Sequence, residues 1–294
     1  MSNPRVTIGV PVRNGASELA ASLACLSQQT CRDIVILVSD NASTDRSAEI
    51  VAEAMRHDPR IRYVRHETNI GALANFTYVL TAATTPYFMW RAYDDLSDLG
   101  YVEQLLAALE ANPAAALAAP RVETLRVQAG RRRVRLPPQP GEAPQSRRAR
   151  QRWIIRRLQA GWIYGLFRRE HLLTTKAFIY REYPFAWAWD FLLLAATVLR
   201  ADIVGVPAAR LTLQLTGAPK EYSSSTPTAE RVELVRNYWR VLEHLLAEQA
   251  LPPLQRLLLR LTFVWHLQRR VAKWPILLRA LGRVKSPAPP TPEA

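Results

Sequence analysis

Four apolar runs in the first hundred residues each give way to a short polar cluster. Val6–Val12 leads into Arg13, Asn14 and Gly15, and Ile34–Val38 into Ser39, Asp40 and Asn41. Ile61–Val64 is followed by Asn69, Ile70 and Gly71, and Tyr87–Trp90 by Asp94 and Asp95. Continuous runs rich in β-branched residues read as strands buried on both faces. Between them, Leu19, Leu23 and Leu26 at helical spacing predict a helix from Ala16 to about Gln28. Further helices are expected over 44–57, capped by Ser43, over 71–83, and over 100–111, the last stopped by Asn112 and Pro113. Strand–helix alternation with short connections predicts an α/β fold, a Rossmann-like and mostly parallel sheet with right-handed crossovers.

Past Pro120 the pattern changes. Val122–Val127 and Val134–Leu136 read as a hairpin, 137–150 as a mobile loop rich in Pro and Arg, and 153–167 as an apolar segment in which Gly161 and Gly165 imply close backbone approach. A helix over 186–199, a short strand over 203–206 and a polar loop over 219–227 follow. From 229 to 283 the chain reads as helices broken at Pro252-Pro253 and near Pro275. The expected organisation is a catalytic-type domain over 1–218, a helical extension over 226–285 and a disordered tail over 286–294.

Composition narrows the class. The 294 residues, 49% hydrophobic and 22% charged, are ordinary for a globular protein. Two cysteines, Cys25 and Cys31, cannot form a disulfide framework, and no apolar stretch reaches spanning length. The N-terminus moves into a strand within a few residues, without room for a signal peptide. A cytoplasmic setting is expected, with contact at the inner face of a membrane at most. The net charge of +14 is uneven: residues 1–120 hold 9 basic and 13 acidic side chains, residues 121–294 hold 30 and 12. The second half therefore suits an anionic partner.

In a wound sheet, ligands bind outside the carboxyl ends of the strands, so the four polar clusters belong to one crevice. Pro11, Arg13 and Asn14 can offer groups to a nucleobase, with Glu18 placed for a ribose hydroxyl; the plain alternative is a strand-to-helix turn. Asp40 can accept the imide N–H of a pyrimidine while Ser43 holds the turn. Asn69 and Gly71 sit at a helix start, where backbone N–H groups favour phosphate, with Asn75 one turn on; simple capping by Asn69 is the alternative. Asp94 and Asp95 repel unless a cation or solvent relieves them, and a carboxylate pair plus diphosphate oxygens suits Mg²⁺ or Mn²⁺.

These clusters, Thr7 to Asn14, Ser39 to Asp45, Asn69 to Gly71 with Asn75, and Asp94-Asp95, closely resemble family-2 glycosyltransferases of the GT-A fold over roughly residues 4–215. The resemblance implies an inverting enzyme that uses a nucleotide-diphosphate sugar (UDP-, GDP- or dTDP-linked), a divalent cation and a glycan, lipid-linked or cell-surface acceptor. It assigns Asp95 to the metal directly, with Asp94 as a second ligand or a sugar contact. It places the catalytic base at a late helix start, where Asp190 lies, with Glu182 in reserve and Trp187 and Trp189 as acceptor platforms. Tyr93 directly before the acidic pair departs from the commoner pattern, and Arg210–Gln214 lacks the His often found there.

Competing classes lack their signatures. A dinucleotide oxidoreductase needs Gly-x-Gly-x-x-Gly after the first strand, and a nucleotidyltransferase a longer Gly-rich phosphate loop. A non-catalytic binder of anionic polymer or membrane surface remains the alternative; nucleic acid is not an expected partner. Residues 251–285 hold 8 basic and no acidic side chains. Leu254, Leu257, Leu258, Leu261 and Trp265 form one helical stripe opposed by Arg256 and Arg260, which suits a bilayer surface. Leu259 and Phe263 fall off that stripe and suit packing on the catalytic domain instead.

Overall fold

The structure is a computed structural model and describes residues 3–128, 131–135, 144, 146–215 and 228–282. All four predicted strands form: β1 (Val6–Val12), β2 (Ile34–Asp40), β3 (Ile61–Arg65) and β4 (Tyr87–Trp90). The helices between them are α1 (Leu19–Ser27), α2 (Ser47–His57), α3 (Ala72–Ala82) and, after a short strand β5 (Leu96–Ser97), α4 (Tyr101–Ala111). Val6, Ile8 and Val10 of β1 are wholly buried, as its unbroken apolar run requires.

The second half comprises β6 (Ala115–Gln128), β7 (Arg131–Arg135), α5 (Arg147–Arg157), a 3-10 turn (Ala160–Tyr164), β8 (Leu166–Arg168), α6 (Arg169–Glu182), α7 (Trp189–Arg200) and β9 (Asp202–Leu215). Helices α8 (Thr228–Ala247), α9 (Pro253–Arg270) and α10 (Trp274–Leu281) follow. The sheet runs β3-β2-β1-β4-β8-β6-β9-β5, with β7 on β6. Pairing is parallel along β3-β2-β1-β4 and between β6 and β9, and antiparallel where β8 bridges β4 and β6.

Several sequence expectations need correction. Helix α2 starts at Ser47 instead of Thr44, because Ser43 Oγ accepts the Asn14 N–H and Asp45 receives the Ser47 N–H. The loop expected over 137–150 is helical from Arg147, where Gln151, Ile154 and Ile155 turn a buried face inward. Helix α6 was not anticipated: its apolar face, Leu172, Phe178 and Ile179, is interleaved with Thr and Lys that disguise the period. The strand expected over 203–206 extends to Leu215 as the partner of β6. The hairpin forms as β6 and β7, with Leu136 outside the described residues. The loop expected over 219–227 and the tail over 286–294 also lie outside them.

Two apolar clusters flank the sheet. One gathers β1, β2, α1 and α4; the other joins Trp90 and Phe167 to α5, α7 and α8, and reaches Phe263 and Leu277 of the last two helices. Helices α8–α10 thus share a core with the sheet.

Gly165 shows how tightly the two halves meet. A Cβ there would lie 2.3 Å from the Ala118 carbonyl oxygen and 2.8 Å from Leu117 Cδ1. Backbone must shift to admit it, so Gly165→Ala is expected to cost about 3 kcal/mol. A urea midpoint lowered at unchanged slope checks this.

Candidate active site

The loops leaving β1 and β2 interlock before they present anything to a ligand. Asn14 takes positive φ (51°), donates its N–H to Ser43 Oγ (2.9 Å) and accepts the Thr44 N–H on Oδ1 (2.9 Å). Asp45 accepts from Ala16 and Ser47, and these bonds hold its carboxyl below the ordinary range although burial opposes them. Asp40 is fully buried; Oδ1 accepts the Ser43 N–H (2.8 Å) and Oδ2 the Tyr63 hydroxyl (2.7 Å). Burial and then that carboxylate push the Tyr63 phenol far up, so it stays a donor.

Entry to α3 is fixed by a reciprocal amide pair. Asn41 Nδ2 donates to Asn69 Oδ1 (2.7 Å), and Asn41 Oδ1 accepts the Ile70 N–H (2.8 Å). Asn69 Oδ1 also accepts the Gly71 N–H at 3.0 Å. Gly71 at φ 85° turns the chain into the helix, a conformation a side chain would strain. Asn75, one turn on, is buried with its amide engaged by Ser39: Oδ1 accepts Ser39 Oγ (2.6 Å) and Nδ2 donates to Ser39 O (3.0 Å).

Pro11, Arg13, Asn14, Asn69, Gly71, Asn75 and Asp94 converge on one cleft of about 720 Å³. Tyr93, Tyr164, Ala186 and Trp189 are also part of its wall. Glu18, Asp40, Ser43, Asp95 and Asp190 do not line it. Glu18 sits at the α1 N-cap, half-buried beside the Ser17 hydroxyl. Four residues take positive φ among those described, Asn14, Ala42, Gly71 and Ala188. All are in loops around this cleft, where backbone strain is held in place by the surrounding bonds.

Asp94 and Asp95 are both 4% exposed. Strand β9 fastens them: Gln214 Nε2 donates to the Asp94 carbonyl (3.0 Å), and its backbone N–H donates to Asp95 Oδ1 (3.2 Å). The sequence marked Gln214 only as the end of a segment without the expected His, and the β5–β9 pairing, Leu96 opposite Thr212, brings it to the acidic turn. Arg91, wholly buried, lies over the Tyr101 ring at 5.1 Å and donates to Ser97 Oγ. It puts a buried positive charge on the segment that leads from β4 into the acidic turn.

Asp190 opens α7, with Oδ1 accepting the Phe191 N–H at 2.8 Å. Burial of the carboxyl raises its pKa above the ordinary range, and the backbone bonds oppose that rise; the residue as a whole keeps partial exposure. Tyr164 ties this carboxylate to the other two. Its phenol is pushed well up, first by burial and then by Asp95, Asp94 and Asp190 in that order. Three carboxylates thus act on one tyrosine of the cleft wall. Trp189 stands against Phe76 (5.9 Å) and Trp90 (5.8 Å), both edge-on, so its ring is held by the core. Glu182 lies instead at the end of α6, bonded to Arg181 and 3.8 Å from His244.

The sequence model described as "Glycosyl transferase family 2" matches residues 7–173. The chain belongs to that family. Glycosyltransferase GlyA of Streptococcus pneumoniae is 35% identical over 101 residues, 34% of this chain and 14% of that protein. The teichoic acid poly(glycerol phosphate) polymerase of Staphylococcus epidermidis is 29% identical over 92 residues, 31% of this chain and 13% of that protein. The chain spans between 13% and 40% of the length of the curated relatives it matches. Among solved structures, residues 1–349 of S. aureus TarS in complex with UDP-GlcNAc superpose at TM-score 0.68. That likeness covers 95% of this chain and 80% of the other at 18% identity, and it shows the shared GT-A fold. TarS shares the curled, mostly parallel sheet followed by helices that the fold displays here.

Proposed function

We propose that the chain moves one sugar from a nucleoside-diphosphate donor to a glycan, lipid-linked or cell-surface acceptor, with inversion at the anomeric carbon. The observation that carries this reading is the cleft that brings Asp94 together with Pro11, Arg13 and Asn14, walled by Tyr164 and by Trp189, the neighbour of Asp190. In the proposed reaction Asp190 takes the acceptor hydroxyl's proton as that oxygen attacks the anomeric carbon and the bond to the diphosphate breaks. Pro11, Arg13 and Asn14 would face the nucleobase, the α3 entrance would receive the diphosphate, and Trp189 would offer a rigid apolar face to the acceptor.

The donor set fits a hard divalent ion held jointly with a ligand. Among the described residues no cluster of three or more His, Cys, Asp or Glu side chains could cage a metal. Two neighbouring buried carboxylates suit Mg²⁺ or Mn²⁺ completed by phosphate oxygens. Asp95, with Asp94, would hold it, and the ion would supply charge neutralisation to the departing diphosphate.

TarS binds UDP-GlcNAc and, in a second structure, UDP, which supports a uridine-diphosphate sugar as the first donor to test. Thermal unfolding with UDP-, GDP- and dTDP-sugars, with and without Mn²⁺, tests the reading. A matching donor at about 100 times its Kd should stabilise the fold by about 2.7 kcal/mol. Asp95→Ala is expected to remove the metal-dependent part of that gain. Stabilisation by nucleotide that ignores both metal and Asp95 overturns the metal assignment.

A further inference from the structure

Helix α9 is apolar on two opposite faces, and only one is used. Leu259, Phe263, His266 and Leu267 pack inward, the His266 ring standing 5.2 Å from Phe191. The face opposed to the Leu254 stripe is therefore this buried one, with Arg256 half-buried and Arg260 exposed at its margin. The stripe itself lies open: Leu254 is 66% exposed, Leu261 56% and Trp265 40%. On α10, Trp274 and Leu278 are exposed in the same way while Leu277 and Ala280 are buried. A helix buried through one face has no folding reason to carry a second apolar stripe in water.

Charge decides what covers it. From Leu251 to Gly282 there are six basic residues and no acidic one. Arg260, Arg269, Arg270, Lys273 and Arg279 are exposed, with the Arg269 guanidinium 5.0 Å from the Trp265 ring centre. A second copy of this face would set Arg269, Lys273 and Arg279 against their own kind, with α9 and α10 offering no carboxylate to relieve them. Residues 283–294, rich in proline, offer Val284 as their one aliphatic side chain beyond alanine and proline. No described helix is long and apolar enough to cross a membrane. Arg260 is paired with Glu243 of α8 at 2.8 Å, which leaves Arg269, Arg270, Lys273 and Arg279 as the basic rim. Exposed leucines and tryptophans bordered by such a rim are the combination an anionic bilayer surface takes up.

We propose that α9 and α10 lay this leucine–tryptophan face into the headgroup region of an anionic membrane. The inner face of the same helix braces Phe191, next to Asp190, so the docked surface lies one helix from the proposed base. Docking needs no nucleotide, so its test stands or falls apart from the transfer reading.

The full chain is sedimented with vesicles of phosphatidylglycerol and phosphatidylcholine, and with phosphatidylcholine alone. Binding is expected to the mixed vesicles and to weaken steeply with salt. Arg269→Gln/Lys273→Gln/Arg279→Gln should lower that binding about 100-fold. Leu257→Ser/Leu261→Ser should lower it at least about 10-fold, with unchanged thermal unfolding because both side chains are exposed. Absence of vesicle binding overturns the proposal, as does equal binding to neutral vesicles. A dimer in light scattering that the leucine variant dissolves also overturns it, assigning the face to a second copy.

Discussion

Asp190→Asn is expected to lower turnover about 10²–10⁴-fold while leaving donor binding intact. The substitution keeps the shape of the side chain and an oxygen to accept the Phe191 N–H, so α7 retains its first turn. It removes the negative charge and with it the capacity to accept a proton. Donor affinity, read by thermal shift, should therefore match the unsubstituted chain, because the cleft residues Pro11, Arg13 and Asn14 lie at the end of β1 and in the turn after it, away from α7. The pH profile gives a second readout. Burial raises the Asp190 pKa, so its active, ionised form is lost on acidification at a higher pH than an ordinary aspartate near 3.9 would show. The acidic limb of the rate should sit above that value and vanish in the residual activity of the variant. Glu182→Gln serves as the comparison: that carboxylate is engaged by Arg181 and His244, and its loss should change turnover little. Normal turnover by Asp190→Asn would remove the base assignment.

How far the sequence reaches is set by where information is local. Strands β1, β2 and β4 were legible as apolar runs buried on both faces, whereas β3, with Arg62 and Arg65 exposed, was legible only from Ile61, Tyr63 and Val64. Their carboxyl ends follow directly, and seven of the residues named from those ends line one cleft. The acidic turn was legible as a pair but not as a fastened pair. Gln214 reaches it through a strand pairing across more than a hundred residues, for which a lone glutamine in an apolar strand gives no signal. Asp40 was legible as a strand-end carboxylate, whereas its engagement by Tyr63 depends on the β2–β3 register. Helix α6 was hidden because its buried face includes Thr175 and Lys176, polar types that break the apolar period. The α9 stripe was read correctly as a stripe. Which side of it faces the core depends on Leu259 and Phe263, whose partners lie on other helices.

Lys176→Met is expected to stabilise the fold at pH 7, by roughly 5 kcal/mol at most. The lysine is 3% exposed, its ammonium 3.8 Å from the Tyr180 ring centre and 5.4 Å from that of Trp189, with Thr77 Oγ1 at 2.6 Å. Neither rings nor a hydroxyl replace the hydration of a full charge, and burial lowers its pKa from 10.5 to about 7. The folded value lies below the unfolded one. Between pH 7 and pH 10.5 the unfolded chain therefore holds a proton that the folded chain has released, and the contribution of this group to stability rises with pH. Below pH 7 the deficit is complete, and a shift of that size sets the upper bound given above. Methionine fills the same space without a charge and keeps contact with both rings. The excess stability of the variant should thus be largest at pH 7 and shrink toward pH 10, measured by urea unfolding of both chains at each pH. A difference that stays flat with pH, or a variant weaker at pH 7, would mean that the ammonium remains charged and that its ring contacts hold Trp189 in place.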